Sequence, residues 1–217
     1  MNKKQIIKNT EKYVRAEMGA EGSGHDWWHV YRVWKTAVHI GEKEKVDMFV
    51  VELGALLHDI ADFKFNDGDD TAGARVSRAW LEKQGVDEET TNHVCDIVKG
   101  VSFKGAKVKS EIKTKEGMVV QDADRLDAIG AIGIARVFAY GGVKGREIYN
   151  PKIKAKKHKS FEAYKNANGT SINHFYEKLL LLKDLMNTKT GKKIAQGRHK
   201  FIEQYLDRFI KEWDGRI

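Results

Sequence analysis

Apolar residues recur at the spacing of a helix face along most of the chain. The clearest example lies within residues 49–62, where Leu53, Leu56, Leu57 and Ile60 occupy positions i, i+3, i+4 and i+7, the spacing of a buried helical face. Comparable patterns, separated by glycine-rich or charged stretches, predict further helices. We expect helices at about residues 3–18, 25–40, 46–61, 72–84, 87–98, 172–187 and 190–213, with one long apolar segment at 118–140.

The same pattern indicates the fold class. No run alternates between apolar and polar residues over a length useful for a strand, and the 217 residues include one proline, so little interrupts a helix. We therefore predict an all-α helical bundle that forms a single domain over residues 1–217. An irregular, lysine-rich loop is expected at about residues 141–171, a length that is typical of functional loops in compact domains.

Charge and cysteine content add expectations about partners and compartment. Lys and Arg total 39 against 31 Asp and Glu, giving a net charge of +8, which favours anionic partners. The single cysteine, Cys95, lies among apolar residues and has no second cysteine to pair with, which indicates a buried thiol in a reducing compartment. No long apolar run opens the chain, so we predict a cytoplasmic protein without a signal peptide or membrane span.

Four polar residues lie in apolar surroundings on three separate predicted helices. His58 and Asp59 directly follow two leucines, His29 lies beside tryptophans, and Asp124 precedes Arg125. Taken singly, such residues are usually a packed core histidine, a solvated helix end or a surface acid. Together, two imidazoles and two carboxylates form a mixed nitrogen and oxygen ligand set suited to Mn, Fe, Co, Ni or Zn.

Three motifs in this order resemble the H…HD…D pattern of the HD superfamily of metal-dependent phosphohydrolases. The similarity extends over nearly the whole chain and is greatest to small stand-alone bacterial HD proteins, which also share the stretches at residues 174–180 and 191–195. The three motifs are His25-Asp-Trp-Trp-His29-Val-Tyr-Arg32-Val, Leu56-Leu-His58-Asp59-Ile-Ala-Asp62 and Asp122-Ala-Asp124-Arg-Leu-Asp127-Ala-Ile-Gly.

The resemblance implies an HD-domain helical bundle and a metal site. The implied ligands are His29, His58, Asp59 and Asp124, and Asp127 is a candidate for supporting them from the next helical turn. Two-metal members of the family carry several histidines between the HD pair and the last Asp, whereas this interval holds only His93. We therefore expect one divalent ion, Mn²⁺ first, with Mg, Fe, Co, Ni and Zn as alternatives.

Further residues are candidates for handling water and substrate. Asp62 stands where relatives carry an acid that acts on the attacking water, and its alternative role is a helix cap. His25 and Arg32 share a helix face with His29, and Arg32 is suited to binding a phosphate in a bidentate manner. His174 and Lys178 form a similar pair near the end of the chain. The remaining histidines are interpreted as surface residues: His39, His158 and His199.

The predicted function is metal-dependent hydrolysis of a small phosphorylated molecule, with a nucleotide as the leading substrate class. Both pyrophosphate release from a nucleoside triphosphate and phosphate release from a nucleoside monophosphate stay open, as does homodimer formation. A guanosine-tetraphosphate hydrolase is one alternative, although Asp62 is followed by Phe63 where those enzymes carry paired acids. Another is a metal-stabilised module that binds nucleic acid through the 141–171 loop without turnover. That loop offers few aromatic residues for base stacking.

Overall fold

The computed structural model describes residues 2–18, 26–61, 71–101, 112–156 and 169–217. Within these ranges the chain forms nine α-helices and one 3₁₀ helix and contains no strand, which confirms the predicted all-α class. The helices are α1 (Lys3–Glu17), α2 (Trp27–Glu44), α3 (Met48–Leu57), α4 (Ala72–Lys83), α5 (Glu88–Val101), α6 (Lys115–Asp127), α7 (Gly130–Val143), α8 (Ser171–Glu177), the 3₁₀ helix (Leu179–Leu185) and α9 (Lys189–Trp213).

The described residues group into two compact units. Residues up to 101 and residues 112–124 belong to the first unit, and residues 125–156 and 169–217 belong to the second. Helix α6 therefore contributes its longer N-terminal part to the first unit and its last turn to the second.

Helix α3 is the centre of the first unit. Its only charged residue is Glu52, which accepts a hydrogen bond from Trp34 Nε1 of α2 at 3.0 Å, and nearly all of its other side chains are buried. The helix packs against α1, α2 and α5, while α4 packs against α5. Gly54 permits the close approach of α5, because a Cβ atom there would lie 3.2 Å from Cγ2 of Ile97.

Helix α3 ends at Leu57, four residues earlier than the apolar pattern predicts. The backbone turns over residues 58–61, and the N–H of Ile60 donates to the carbonyl of Leu57 at 3.1 Å. This bond spans three residues, so it tightens the end of the helix. The prediction of a helix through residue 61 is therefore wrong at this end, and the HD pair lies in the turn that follows α3.

The second unit is built from α7, α8, the 3₁₀ helix and α9. Helix α9 packs against α7 and the 3₁₀ helix, and α8 also contacts both of these elements. Aromatic side chains fill the space between them: the ring of Tyr205 lies 6.2 Å from Phe138, 6.0 Å from Phe175 and 6.1 Å from Phe209. The expected helix at 172–187 is divided at Lys178, where α8 gives way to the 3₁₀ helix.

The apolar segment at 118–140 is also divided, into α6 and α7. Ile129 is extended, and Gly130 has a φ of +79°, a conformation that favours glycine. The side chain of Arg198 packs against this residue, because a Cβ atom at Gly130 would lie 3.0 Å from Cγ of Arg198. The glycine thus provides both the sharp turn and the space for the arginine.

Helix α7 ends at Val143 and α8 begins at Ser171. The described part of this connection, residues 144–156 and 169–170, contains no helix. Its backbone is bonded to α8: the N–H of Ser171 donates to the carbonyl of Glu147 at 2.9 Å, and that of Lys156 donates to Oε1 of Glu177 at 3.0 Å. The part of the predicted loop at residues 157–168 lies outside the described residues.

Cys95 and His199 both lie in buried positions. Cys95 is buried, as predicted, and its thiol lies 3.5 Å from the carbonyl of Ala74, while burial raises the pKa of the thiol. The interpretation of His199 as a surface residue is wrong. It is 8% exposed, because it lies on the inner face of α9, where its Nε2 is 3.3 Å from Nζ of Lys183.

Length and hydropathy limit which of the described helices could cross a membrane. None of them is by itself long and apolar enough to cross a membrane, and α6 and α7 meet the length and composition criteria only as a bent pair.

Candidate metal centre

His29 lies in the first turn of α2. The carboxylate of Asp26 caps this helix by accepting a hydrogen bond from the backbone N–H of His29 at 2.9 Å, a usual role for Asp before a helix. Trp27 and Val30 are buried on either side, and His29 itself is 1% exposed. An imidazole buried this completely needs a polar partner.

The HD pair follows the end of α3. Nδ1 of His58 lies 2.8 Å from the carbonyl oxygen of Ala55, and because a carbonyl can only accept, Nδ1 carries the proton. Nε2 of His58 is then left with its lone pair, the form that binds a metal ion. The carboxylate of Asp59 is 10% exposed and lies beside both imidazoles.

Asp124 lies on α6, which is tied to the end of α5 by Gln121. The amide of Gln121 donates to the carbonyls of Gly100 and Val101 at 3.4 and 3.5 Å. One turn after Gln121, the side chain of Asp124 remains 25% exposed. Of the residues in this cluster, Asp124 is therefore the one most open to solvent.

The structure brings all four predicted ligands together within the first unit. Nε2 of His29 lies 3.2 Å from Nε2 of His58, 3.4 Å from Oδ2 of Asp59 and 3.5 Å from Oδ1 of Asp124. Nε2 of His58 lies 3.6 Å from the same Asp59 oxygen. The ligand atoms of His29, His58 and Asp59 all fall within 4.8 Å of one another.

These distances fit a single divalent ion. Ligand atoms about 2.1 Å from a metal are roughly 3.0 Å apart at right angles and roughly 3.4 Å apart in a tetrahedron. The observed separations of 3.2–3.6 Å are close to this range. Two neutral imidazoles and two carboxylates also carry a net charge of −2, which a divalent cation neutralises.

The other predicted site residues lie partly in the first unit, partly in the second unit and partly outside the described residues. Arg32 is half-buried on α2, one turn after His29. His174 and Lys178 belong to the second unit, where burial, together with Lys178 and Arg146, lowers the pKa of His174 to about 3. His25 and Asp62 lie outside the described residues.

Asp127 is held by arginines of the second unit. Its buried carboxylate accepts a hydrogen bond from Nη1 of Arg136 at 2.6 Å. Arg198 donates to the neighbouring carbonyl of Leu126 at 2.5 Å, and burial lowers the pKa of the Arg198 guanidinium while Asp127 opposes that shift. Asp127 therefore has a charged partner within the second unit.

His93, the only histidine between the HD pair and Asp124, lies on α5. Its Nε2 is 2.9 Å from Oγ1 of Thr114 and 3.7 Å from a carboxylate oxygen of Glu116. These contacts give His93 its own partners within the first unit.

Sequence reasoning missed two residues that position the candidate metal ligands and one residue that pairs with Asp127 in the second unit. Asp26 was detectable, since an Asp three residues before a candidate ligand at a helix start is a typical cap. The carbonyl of Ala55, which orients His58, carries no sequence signal because any residue supplies it. Arg136, the partner of Asp127, lies nine residues further on and beyond an unpredicted turn.

The fold and the cluster define an HD-domain protein. The family model described as HD domain matches residues 27–129, the range that holds the four clustered residues. The chain belongs to the HD superfamily.

Relatives resemble the chain over almost its full length. The crystal structure of an HD-superfamily hydrolase from Bacillus thuringiensis is 43% identical, has a TM-score of 0.78, and the match covers 98% of this chain and 99% of that one. YpgQ of Bacillus subtilis, an uncharacterised protein, is 41% identical over 206 residues, which are 94% of this chain and 91% of YpgQ. The crystal structure of YpgQ in complex with ADP has a TM-score of 0.75, and the match covers 95% of this chain and 97% of that one.

Proposed function

We propose that the protein is a metal-dependent phosphohydrolase acting on a small phosphorylated substrate, with a nucleotide as the leading class. The observation that supports this most is the convergence of two imidazole nitrogens and two carboxylates in a nearly buried cluster. Membership of a superfamily that includes hydrolases and binds divalent metals supports the same reaction type.

In this proposal, His29, His58, Asp59 and Asp124 hold one divalent ion. When bound, such an ion supplies Lewis acidity and lowers the pKa of water, so that a nucleophile forms at neutral pH. The chain keeps Nε2 of His58 available as a ligand by placing the proton on Nδ1, against the Ala55 carbonyl. We expect Mn²⁺ first among the metals that suit this mixed ligand set.

The remaining candidates act on the substrate and on water. Arg32, one turn from His29, neutralises phosphate charge. Lys178 is a second cation that contributes to the same role. His174 has a lowered pKa, so it is neutral at physiological pH and acts through hydrogen bonds. Asp62 orients the attacking water and accepts its proton, and His25 is a further phosphate contact.

A nucleotide is favoured over other phosphorylated molecules by two observations. YpgQ, which matches this chain over most of its length, was crystallised with ADP. The net charge of +8 suits a polyanionic ligand. Whether phosphate or pyrophosphate leaves depends on which phosphorus faces the nucleophile, so the products must be identified directly.

The test is a screen of metal-stripped protein reloaded with each candidate metal. Nucleoside tri-, di- and monophosphates and guanosine tetraphosphate are offered as substrates, and phosphate and pyrophosphate are quantified separately. We expect turnover that EDTA abolishes and that Mn²⁺ restores. His29→Ala should lose both metal and turnover. His39→Ala, an exposed histidine on the same helix, is the matched control and should retain both.

Two results would contradict the proposal. One is the absence of turnover of every nucleotide under every metal supplement. The other is salt-sensitive binding of RNA or DNA without hydrolysis, the behaviour of a nucleic-acid-binding module.

A further inference from the structure

An exposed tryptophan directly precedes the first candidate metal ligand. Trp28 is 56% exposed, whereas the other tryptophans of α2, Trp27 and Trp34, are 5% and 8% exposed. A tryptophan with more than half of its surface in water is unusual, and large exposed aromatic side chains often mark binding sites. Packing among the described residues thus leaves more than half of Trp28 exposed, which is typical of a binding residue.

Helix geometry relates Trp28 to the metal cluster. Successive residues of an α-helix are rotated by about 100°, so His29 points about 100° away from Trp28, and Arg32 lies between them at about 40° from Trp28. Moving around α2, the order is an exposed ring, a guanidinium and a candidate metal ligand. A nucleotide has its groups in the same order: a base, which an aromatic ring binds, and then phosphates, which a guanidinium and a metal ion bind.

The ring of Trp28 lies at the edge of an aromatic cluster on α2. The ring of Tyr31 meets it edge-on at 5.9 Å, and Tyr31 in turn meets Trp34 edge-on at 6.4 Å. Nζ of Lys35 lies 5.4 Å from the ring centre of Tyr31 and 4.2 Å from that of Trp34. Lys35 thus covers the two inner rings, and its charge adds to that of Arg32 on the same side of the helix.

We propose that Trp28 is the stacking platform for the base of the nucleotide whose phosphates face the His29–His58 cluster. An aromatic ring stacks on any base through its π-face, and the cations beside it attract the phosphates. The platform thus favours nucleotides over phosphorylated compounds that lack an aromatic base. This inference rests on the proposed function, since it specifies which part of a nucleotide the protein recognises beyond its phosphates.

The test compares a ligand that has a base with one that lacks it. Binding of ATP and of inorganic triphosphate to the metal-loaded full-length protein is measured by calorimetry, together with KM and kcat for ATP. Trp28→Ala should weaken ATP binding by roughly 5- to 100-fold, the range seen when a stacking partner is removed, and leave triphosphate binding unchanged. Trp28→Phe should recover most of the loss.

Phe201→Ala is the matched control, because Phe201 is 47% exposed on α9, and it should change neither ligand's affinity. An equal loss for both ligands in Trp28→Ala would overturn the inference, because it would indicate a structural or phosphate-binding role. Unchanged ATP binding in a protein that hydrolyses nucleotides would overturn the stacking role alone. A wild-type protein that neither binds nor hydrolyses any nucleotide would overturn the proposed function and this inference together.

Discussion

Nε2 of His29 faces Nε2 of His58 at a distance of 3.2 Å. Because Nδ1–H of His58 donates a hydrogen bond to the Ala55 carbonyl, the lone pair of its Nε2 is directed at the other ring. Carboxylate oxygens of Asp59 and Asp124 close the same space. Two acids and two ring nitrogens at such distances repel one another unless a proton or a cation lies between them. We therefore expect metal binding to stabilise the fold.

We expect the isolated protein to carry about one transition-metal ion per chain. Elemental analysis of protein purified without chelators measures this directly. His58→Ala should lose the ion, whereas His93→Ala should keep it, because His93 is engaged with Thr114 and Glu116. A consistent value near two ions that falls to one in His93→Ala would mean that His93 belongs to a second site.

Asp59 and Asp62 are expected to have different roles. Asp59→Asn should lose metal affinity, and activity with it, because the Asp59 carboxylate lies 3.4 Å from Nε2 of His29. Asp62→Asn should keep the metal and a nearly normal KM while kcat falls by roughly 10²–10⁴, the usual contribution of a general base. Metal content and steady-state rates of both variants are compared under the same metal supplement.

Loss of metal from Asp62→Asn would show that Asp62 is itself a ligand. Full activity in that variant would instead leave it as a helix cap, and another group would have to act on the water.

Asp127 is expected to matter for folding. Replacing it with Ala removes the carboxylate that pairs with Arg136 in a largely buried setting, and breaking such a pair commonly costs about 3–5 kcal/mol. Urea unfolding of the metal-free protein measures the loss. Asp207→Ala, which removes an exposed pair with Lys211, should cost less than about 1 kcal/mol.

The same Asp127 variant separates two roles. If Asp127 also supports the metal ligands, as its place one turn after Asp124 suggests, metal affinity should fall in a variant that is still folded. Normal metal affinity together with low stability would restrict Asp127 to a structural role.

His174 should make stability depend on pH. Burial lowers its pKa from 6.5 to about 3 in the folded protein, so between these values the unfolded chain binds a proton that the folded chain does not. Stability should therefore fall as pH drops from about 6.5 towards 3, by up to about 1.4 kcal/mol per pH unit, and this contribution should not change above 6.5. His174→Gln should have a flatter profile over that range in urea unfolding. Identical profiles would mean that His174 does not titrate in this way.

The lysine-rich connection between α7 and α8 is expected to favour binding of an anionic substrate through its positive charge. Removing residues 157–168 and joining the ends with a short glycine linker spares the described bonds between this connection and α8. KM for an anionic nucleotide should rise well beyond any effect on the melting temperature. Unchanged kinetics in a well-folded deletion would argue that the segment only connects two helices.

Much of the fold was predictable because helices here follow local apolar periodicity. The starts and ends of α1, α4, α5 and α9 agree with the pattern to within a few residues. The failures occur where backbone conformation or tertiary contact decides. Nothing in the leucine pattern indicates that α3 ends at Leu57, and the apolar pattern continues across Gly130, where a φ of +79° separates α6 from α7.

The metal cluster was predictable in composition but not in geometry. The motif identified His29, His58, Asp59 and Asp124, and the distances between them follow only from the packing of α2, α3 and α6. Partners that act through backbone carbonyls, such as Ala55, cannot be recognised from residue type. The single-domain organisation and the roles of His25, Asp62, Arg32 and Lys178 stay predictions.

The burial of Cys95 has a practical consequence. The chain has no other cysteine, and the raised pKa of this thiol leaves little of the reactive thiolate at neutral pH. A maleimide dye would therefore label a newly introduced surface cysteine with little background. A fluorophore attached at an exposed position such as Lys154 would then test whether adding a nucleotide changes the surroundings of the α7–α8 connection in the otherwise unmodified protein.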